Sequence, residues 1–121
     1  MKVVYLNVEN QQLPKAMDIE DKLDVFYELI GCRCIDIVQR KIGNKYFDVI
    51  CDDEGALKED ALVSAVDTQF RQMLVGNLII SKSNDEGNLI DLSDEDIKQI
   101  LRHTKTYFTL SNIYSALQMN Y

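Results

Sequence analysis

The chain has 121 residues, of which 46% are hydrophobic, and this size and composition predict one domain with a continuous core. Twenty acidic residues against 13 lysines and arginines give a net charge of −7, so we expect no direct nucleic-acid binding, since such a surface repels phosphates. No apolar run reaches the ~18 residues of a membrane span, so no membrane association is expected.

The first predicted elements are a strand and a helix. The strand covers residues 3–8, which are mostly apolar, and the chain then breaks around Pro14. The helix covers residues 20–30, because apolar residues recur there at i, i+3, i+4 and i+7, and Gly31 is placed to end it as a C-cap. The buried stripe of this helix is predicted to contain Leu23, Phe26, Tyr27 and Ile30.

A hairpin is predicted next, from strands at residues 32–41 and 45–52. Gly43 and Asn44 form a good two-residue turn, which would place Ile42 opposite Lys45. In that register both faces of the hairpin carry apolar residues, so we expect it to lie centrally in its sheet.

Residues 58–74 are predicted to be a helix, because Leu62, Val66 and Phe70 keep helical spacing and Gly76 follows. A strand at residues 78–81, a turn at 84–87 and a returning strand at 88–91 come next.

Two further helices are predicted near the carboxyl end. Ser93 precedes Asp94, Glu95 and Asp96, and the Ser93 hydroxyl can accept from the backbone N–H of Asp96 in a capping box. Residues 111–118 are predicted to form a short helix capped by Ser111. The expected fold is α+β, with a mostly antiparallel sheet of four to six strands and two or three helices packed on one face. Residues 1–105 would form this domain, and residues 106–121 an aromatic extension.

Two Asp-Glu-Gly turns, ending at Gly55 and Gly87, were compared with calcium-binding loops. An EF-hand loop requires an oxygen ligand at its first position and a glutamate at its twelfth. Ile50 and Lys82 occupy the first position, and Ala61 and Ser93 the twelfth. We therefore interpret both segments as ordinary turns with solvated acids and predict no metal site.

The three cysteines, Cys32, Cys34 and Cys51, are an odd number in a sequence without an evident signal peptide, which predicts reduced thiols and a cytoplasmic location. A structural zinc site needs four ligands, so buried thiols are the better interpretation. His103 is the single histidine, and no nucleophile, phosphate-loop or cofactor motif accompanies it. We predict no catalytic residues and no cofactor. A small hydrolase that uses His103 and a turn carboxylate stays open as an alternative.

Four cations surround the predicted hairpin: Arg33, Arg40, Lys41 and Lys45. Together they could bind a phosphorylated ligand or an acidic partner, and they are the candidate ligand-binding residues. Ordinary charges that protect an edge strand from aggregation are the alternative interpretation.

Four segments carry a family resemblance: MKVVYLNVE, DKLDVFYELIGC, the strand ending in VICDDEGAL, and GNLIISKSNDEGNLIDLSDEDI. Over about its first 105 residues the chain resembles a family of small domains of unknown function from bacteriophages and integrative or conjugative elements, largely of Gram-positive bacteria. The resemblance implies a mobile-element context and no particular activity.

The expected function is therefore a non-enzymatic accessory protein of a phage or mobile element that binds a host protein or a small ligand. The alternatives are a protein that sequesters a nucleotide-like signal and the small hydrolase. A homodimer through Tyr107, Phe108 and Tyr114 is also predicted, since the carboxyl end is unusually aromatic.

Overall fold

A computed structural model of the protein describes residues 1–108, 110 and 113–121, and the backbone alone of Tyr107. This part of the chain contains ten strands and two helices. In chain order they are β1 (Lys2–Leu6), β2 (Lys15–Asp18), α1 (Leu23–Ile30), β3 (Ile35–Ile42), β4 (Lys45–Asp52), β5 (Val63–Val66), β6 (Gln72–Val75), β7 (Leu78–Ser83), β8 (Leu89–Ile90), α2 (Asp94–Arg102), β9 (Thr104–Phe108) and β10 (Ile113–Gln118). A 3-10 helix, Gly55–Leu57, follows β4.

The strands form two sheets. The larger has six strands in the order β2-β1-β7-β4-β3, with β8 paired to β7, and all of its pairs are antiparallel. The smaller has four strands in the order β6-β5-β10-β9, and its β5–β10 pair is parallel. These strands and helices confirm the predicted α+β class with a mostly antiparallel sheet.

The larger sheet is covered on both faces. Val3 and Tyr5 of β1 pack in one cluster with Phe26 of α1, whereas Val4 packs in the other cluster with Ile100 of α2. The second cluster also holds residues of the smaller sheet. The two helices thus lie on opposite faces of the larger sheet, whereas both were predicted on one face. The reason is that β1 carries apolar side chains on both of its faces, and each face is buried by a helix.

Local predictions around the hairpin and α2 are confirmed. Ile42 lies opposite Lys45, as the Gly43–Asn44 turn requires, and Ser93 and Asp96 form the capping box. Gly31 ends α1 in a left-handed conformation, with φ +78°. The hairpin differs from expectation in its place, because β4 is internal but β3 lies at the sheet edge.

The prediction of a helix at residues 58–74 is wrong, since this region contains strands β5 and β6 and no helix. Asp67 makes the turn between them: one carboxylate oxygen accepts from the backbone N–H groups of Gln69 and Arg71, at 2.8 and 2.9 Å. Phe70 takes φ +60° in this turn, which interrupts any helix.

The helix predicted at residues 111–118 is also wrong, because Ile113–Gln118 is strand β10. The proposed cap, Ser111, lies outside the described residues. Pairing with β9 and β5 fixes β10 as a strand and places it in the same sheet as β5 and β6. Neither described helix is both long and apolar enough to cross a membrane.

Candidate binding site

Three concave regions meet at the segment that follows β4, residues 52–62, called here the acidic segment. The cavities have volumes of about 570, 330 and 230 Å³, and Asp52 lines all three. The 3-10 helix of this segment contacts β6, and the Leu62 carbonyl accepts from the Gly76 backbone N–H at 2.8 Å.

The largest, the principal cavity, is lined by both apolar and acidic residues. Ile30 of α1 and Leu62 contribute apolar surface, and Gly55, Ala61 and Gly76 add backbone and small side chains. Its charged lining contains four carboxylates and one ammonium group: Glu9, Asp52, Glu59, Asp60 and Lys58.

A buried polar network holds the wall of the principal cavity that Glu9 and α1 provide. The Asn77 side chain is 4% exposed, donates to the Leu29 carbonyl at 3.2 Å and accepts from the Glu9 backbone N–H at 3.3 Å. Tyr5 donates to the same Leu29 carbonyl at 2.6 Å. Burial, and then the Glu9 carboxylate, raises the pKa of Tyr5, so this donor keeps its proton at neutral pH.

Asp52 and Lys58 form an ion pair at the junction of the principal and second cavities, with 2.8 Å between Nζ and Oδ2. The Asp52 side chain is 7% exposed, whereas that of Lys58 is 50% exposed. The other oxygen of Asp52 accepts from the Glu54 N–H at 2.9 Å. The hydrogen bond to Asp52 raises the pKa of Lys58, which therefore stays charged.

The second and third cavities contain the thiols. Cys32 and Cys34 line the second, and burial followed by the Asp52 charge raises the pKa of Cys32. Cys51 lines the third, where burial and then Asp36 raise its thiol pKa to about 11. Cys32 and Cys51 are therefore protonated and poorly nucleophilic at neutral pH. No group of three or more potential metal ligands occurs among the described residues.

The four predicted ligand-binding cations are not brought into one cavity. Arg33 lines the second cavity and Arg40 the third. Lys41 lies over the ring of Tyr46, with 5.8 Å from Nζ to the centroid. Lys45 is paired with a buried carboxylate, Asp96, at 3.2 Å.

Asp96 is 3% exposed and joins α2 to the larger sheet. It contacts Lys45 of β4 and Lys82 of β7, and it accepts from the Ser93 backbone N–H at 2.9 Å. Burial acts to raise the pKa of Asp96, but hydrogen bonds from Lys82, Ser93 and Lys45 outweigh it and hold the pKa well below its usual range. This cluster serves the scaffold, since every charge in it has a partner.

Other predicted functional residues lie away from the cavities. His103 ends α2, and its Nδ1 lies 2.8 Å from the Gln99 carbonyl oxygen; it lines none of the three cavities. Of the aromatic residues assigned to a dimer, Tyr114 is buried in the core, Phe108 is 70% exposed, and the Tyr107 side chain lies outside the description.

The principal cavity was not predicted from the sequence. Glu9, Ile30, the acidic segment and Gly76 are far apart in the chain, and no motif joins them. The one available signal was a lysine shortly after an acidic strand end, a pattern that ordinary turns share.

A family model described as Domain of unknown function (DUF3846) matches residues 1–105. The match covers the region on which the resemblance rested, so the predicted relationship to a family of unknown function is confirmed. No curated protein and no solved structure matches the chain.

Proposed function

This chain belongs to the family described as Domain of unknown function (DUF3846), and we propose that it is a non-enzymatic binding protein whose ligand enters the principal cavity. The observation that carries this proposal is the cavity itself, of about 570 Å³, with apolar residues and a few charged groups in its lining. Small-molecule sites typically have this size and lining.

The charge of the lining selects the class of ligand. Four carboxylates surround one lysine, and that lysine is already paired with Asp52. An anionic ligand would meet net repulsion, whereas a cation would meet a buried carboxylate. The ligand group is therefore a cation attached to an apolar body, either a small amine or amidine or a lysine or arginine side chain of a host protein.

The two alternative functions have less support. A nucleotide-like signal needs clustered cations, but Arg33, Arg40 and Lys45 lie at separate places. A hydrolase needs a base inside the site, but His103 lines none of the three cavities. The proposed role as an accessory protein of a phage or mobile element, in the cytoplasm of a bacterium, is supported only by the family resemblance and by the free cysteines.

A matched set of probes tests the proposal. Amide chemical shifts of the full chain are followed by NMR during titration with 4-phenylbutylammonium, 4-phenylbutyrate and 4-phenylbutanol, which share one apolar body. We expect the cation to shift resonances of Ile30, Ala61 and Leu62 and the anion to leave them unchanged. Stronger binding of the anion, or shifts confined to other regions, would overturn the proposal.

A cavity-filling variant gives the control. Ala61→Trp places a large ring in the principal cavity and should abolish the cation response, whereas Ala56→Trp, which alters the third cavity, should keep it. A short peptide with one central arginine separates the two sources of the cation. If the peptide competes with 4-phenylbutylammonium and binds more tightly, a host protein is favoured over a free amine.

A further inference from the structure

A second interaction surface lies at the outer edge of β3. It is separate from the principal cavity. The hairpin turn makes Ile42 and Lys45 a hydrogen-bonded pair, so even-numbered residues of β3 direct their backbone groups to β4. Odd-numbered residues then direct theirs away from the sheet. Lys41 shows this directly, because it exchanges two backbone hydrogen bonds of 2.8 Å with Asn120.

The Lys41–Asn120 pair starts an antiparallel ladder that the rest of β3 does not continue among the described residues. The backbone N–H groups of Ile37 and Gln39 face outward beside it. This edge belongs to an eight-residue strand without proline, and Ile37 is 47% exposed. Proteins usually cover or interrupt an edge of this length, because it pairs readily with another strand.

The third cavity lies on the side of this edge that faces the smaller sheet. Asp36, Val38 and Arg40 of β3 form one wall, and residues of β6 form the other. Arg40 stacks on Tyr121, with 4.7 Å from Cζ to the ring centroid, and Nη1 donates to the Gln39 carbonyl at 2.9 Å. The guanidinium group of Arg40 therefore contributes a cation to the wall of this cavity.

The lining of the third cavity also determines which ligand group fits it. Asp36, Asp52 and Asp53 line it beside Arg40, so a carboxylate or phosphate would be repelled. A primary amide satisfies both kinds of group, since its oxygen can accept from the Arg40 guanidinium and its NH₂ group can donate to a carboxylate. The volume of about 230 Å³ accommodates one side chain of this size.

We propose that the outer edge of β3 binds an extended peptide segment of a partner protein, antiparallel to β3, with a glutamine or asparagine side chain in the third cavity. The segment continues the ladder that Asn120 begins. Its backbone pairs with Gln39 and Ile37, and the residue opposite Val38 directs its side chain into the cavity, because alternate side chains of a strand share a face.

The probe is a displayed library of random twelve-residue peptides, selected on the full chain. We expect selected sequences to be rich in strand-forming residues around one glutamine or asparagine. Gln39→Pro removes an outward N–H without removing a bond to β4, so it should weaken the selected peptides at least about tenfold. Gln39→Thr keeps the N–H and should bind within about threefold of wild type.

Two measurements keep the test decisive if Gln39→Pro does not fold. Amide exchange of Ile37 and Gln39 in the wild type should slow when a selected peptide is added. Arg40→Met should remove the preference for an amide over alanine at the central position. Failure to select any peptide, equal binding by Gln39→Pro, or unchanged exchange at Ile37 would overturn the proposal. Blocking the principal cavity with Ala61→Trp should leave this binding intact, so the two proposals fail separately.

Discussion

Two regions of the molecule each bury an aspartate beside lysine, and they differ in how completely that aspartate is held. Asp96 is contacted by two lysines from neighbouring strands and by the Ser93 backbone at the start of α2. Asp52 has one lysine, Lys58, from a segment without regular structure, and one backbone donor. The first carboxylate fixes a helix to a sheet, and the second borders three cavities.

The difference shows how the same pair of residue types can serve stability in one place and binding in another. A carboxylate whose partners lie on rigid elements is already satisfied and has no capacity for a ligand. A carboxylate whose cation is half exposed on an irregular segment can exchange that cation, because solvent and entropy weaken such pairs.

Removing Asp96 should have the largest effect on stability. We expect Asp96→Ala to lower the free energy of unfolding by about 2–3 kcal/mol, because the helix cap and both lysine contacts are lost while the lysines can still reach water. Urea denaturation measures this change. The control is Asp94→Ala, in the same helical turn but 89% exposed, which should change stability by less than about 0.5 kcal/mol. Equal effects of the two substitutions would contradict the account.

The Asp96 contribution should also depend on pH. The folded pKa is lowered, so the stabilisation is present above the unfolded pKa of about 3.9 and is lost as the pH falls toward the folded value. The stability difference between wild type and Asp96→Asn should therefore be constant from pH 7 to about 5 and shrink below about pH 4. If this stability difference stays constant down to pH 3, ionisation of Asp96 is not its source.

The contact between α2 and the hairpin turn should be next in size. Gly43 has φ +66°, and an added Cβ would displace Nε2 of Gln99, which donates to Ile42 and Asn44. We expect Gly43→Ala to cost about 1–3 kcal/mol. Gly87→Ala shares the positive φ but meets no neighbouring atom within 4 Å, so thermal melting should show a smaller loss. A loss at Gly87 as large as that at Gly43 would mean that backbone strain alone accounts for both.

The features predicted correctly from sequence are those whose causes are local. Ser93 and Asp96 are three residues apart, and Gly43–Asn44 is a turn by itself, so cap and register could be derived without knowledge of the fold. Residues 63–66 could not be assigned in this way. Their strand is fixed by β6 and by parallel pairing with β10, more than 40 residues later, and the spacing of Leu62, Val66 and Phe70 was equally compatible with a helix.

The candidate site could not be predicted for the same reason. Its lining comes from four separate parts of the chain, and each residue alone is an ordinary helix end, strand end or turn. The predicted cationic cluster was inferred from closeness in sequence. In the sheet, however, Arg40 and Lys41 face opposite sides, and Arg33 precedes β3, at the end of the strand away from the hairpin turn.

The smallest effect on stability is expected at Lys58. Because its side chain is half exposed, Lys58→Met should change the free energy of unfolding by no more than about 1 kcal/mol. Urea denaturation measures this change, and Lys22→Met is the control, because it removes another exposed lysine, the partner of Glu20. A loss at Lys58 as large as that at Asp96 would place the acidic segment in the scaffold.

The most direct test of the account is the affinity of the full chain for 4-phenylbutylammonium, measured by calorimetric titration of wild type, Lys58→Met and Lys22→Met. If a cationic ligand binds Asp52 in place of Lys58, then Lys58→Met should tighten binding about three- to tenfold, because the competing ammonium group is gone. Lys22→Met should leave the affinity unchanged. Equal affinities of all three proteins, or weaker binding by Lys58→Met, would contradict the assignment of the principal cavity as a cation-binding site.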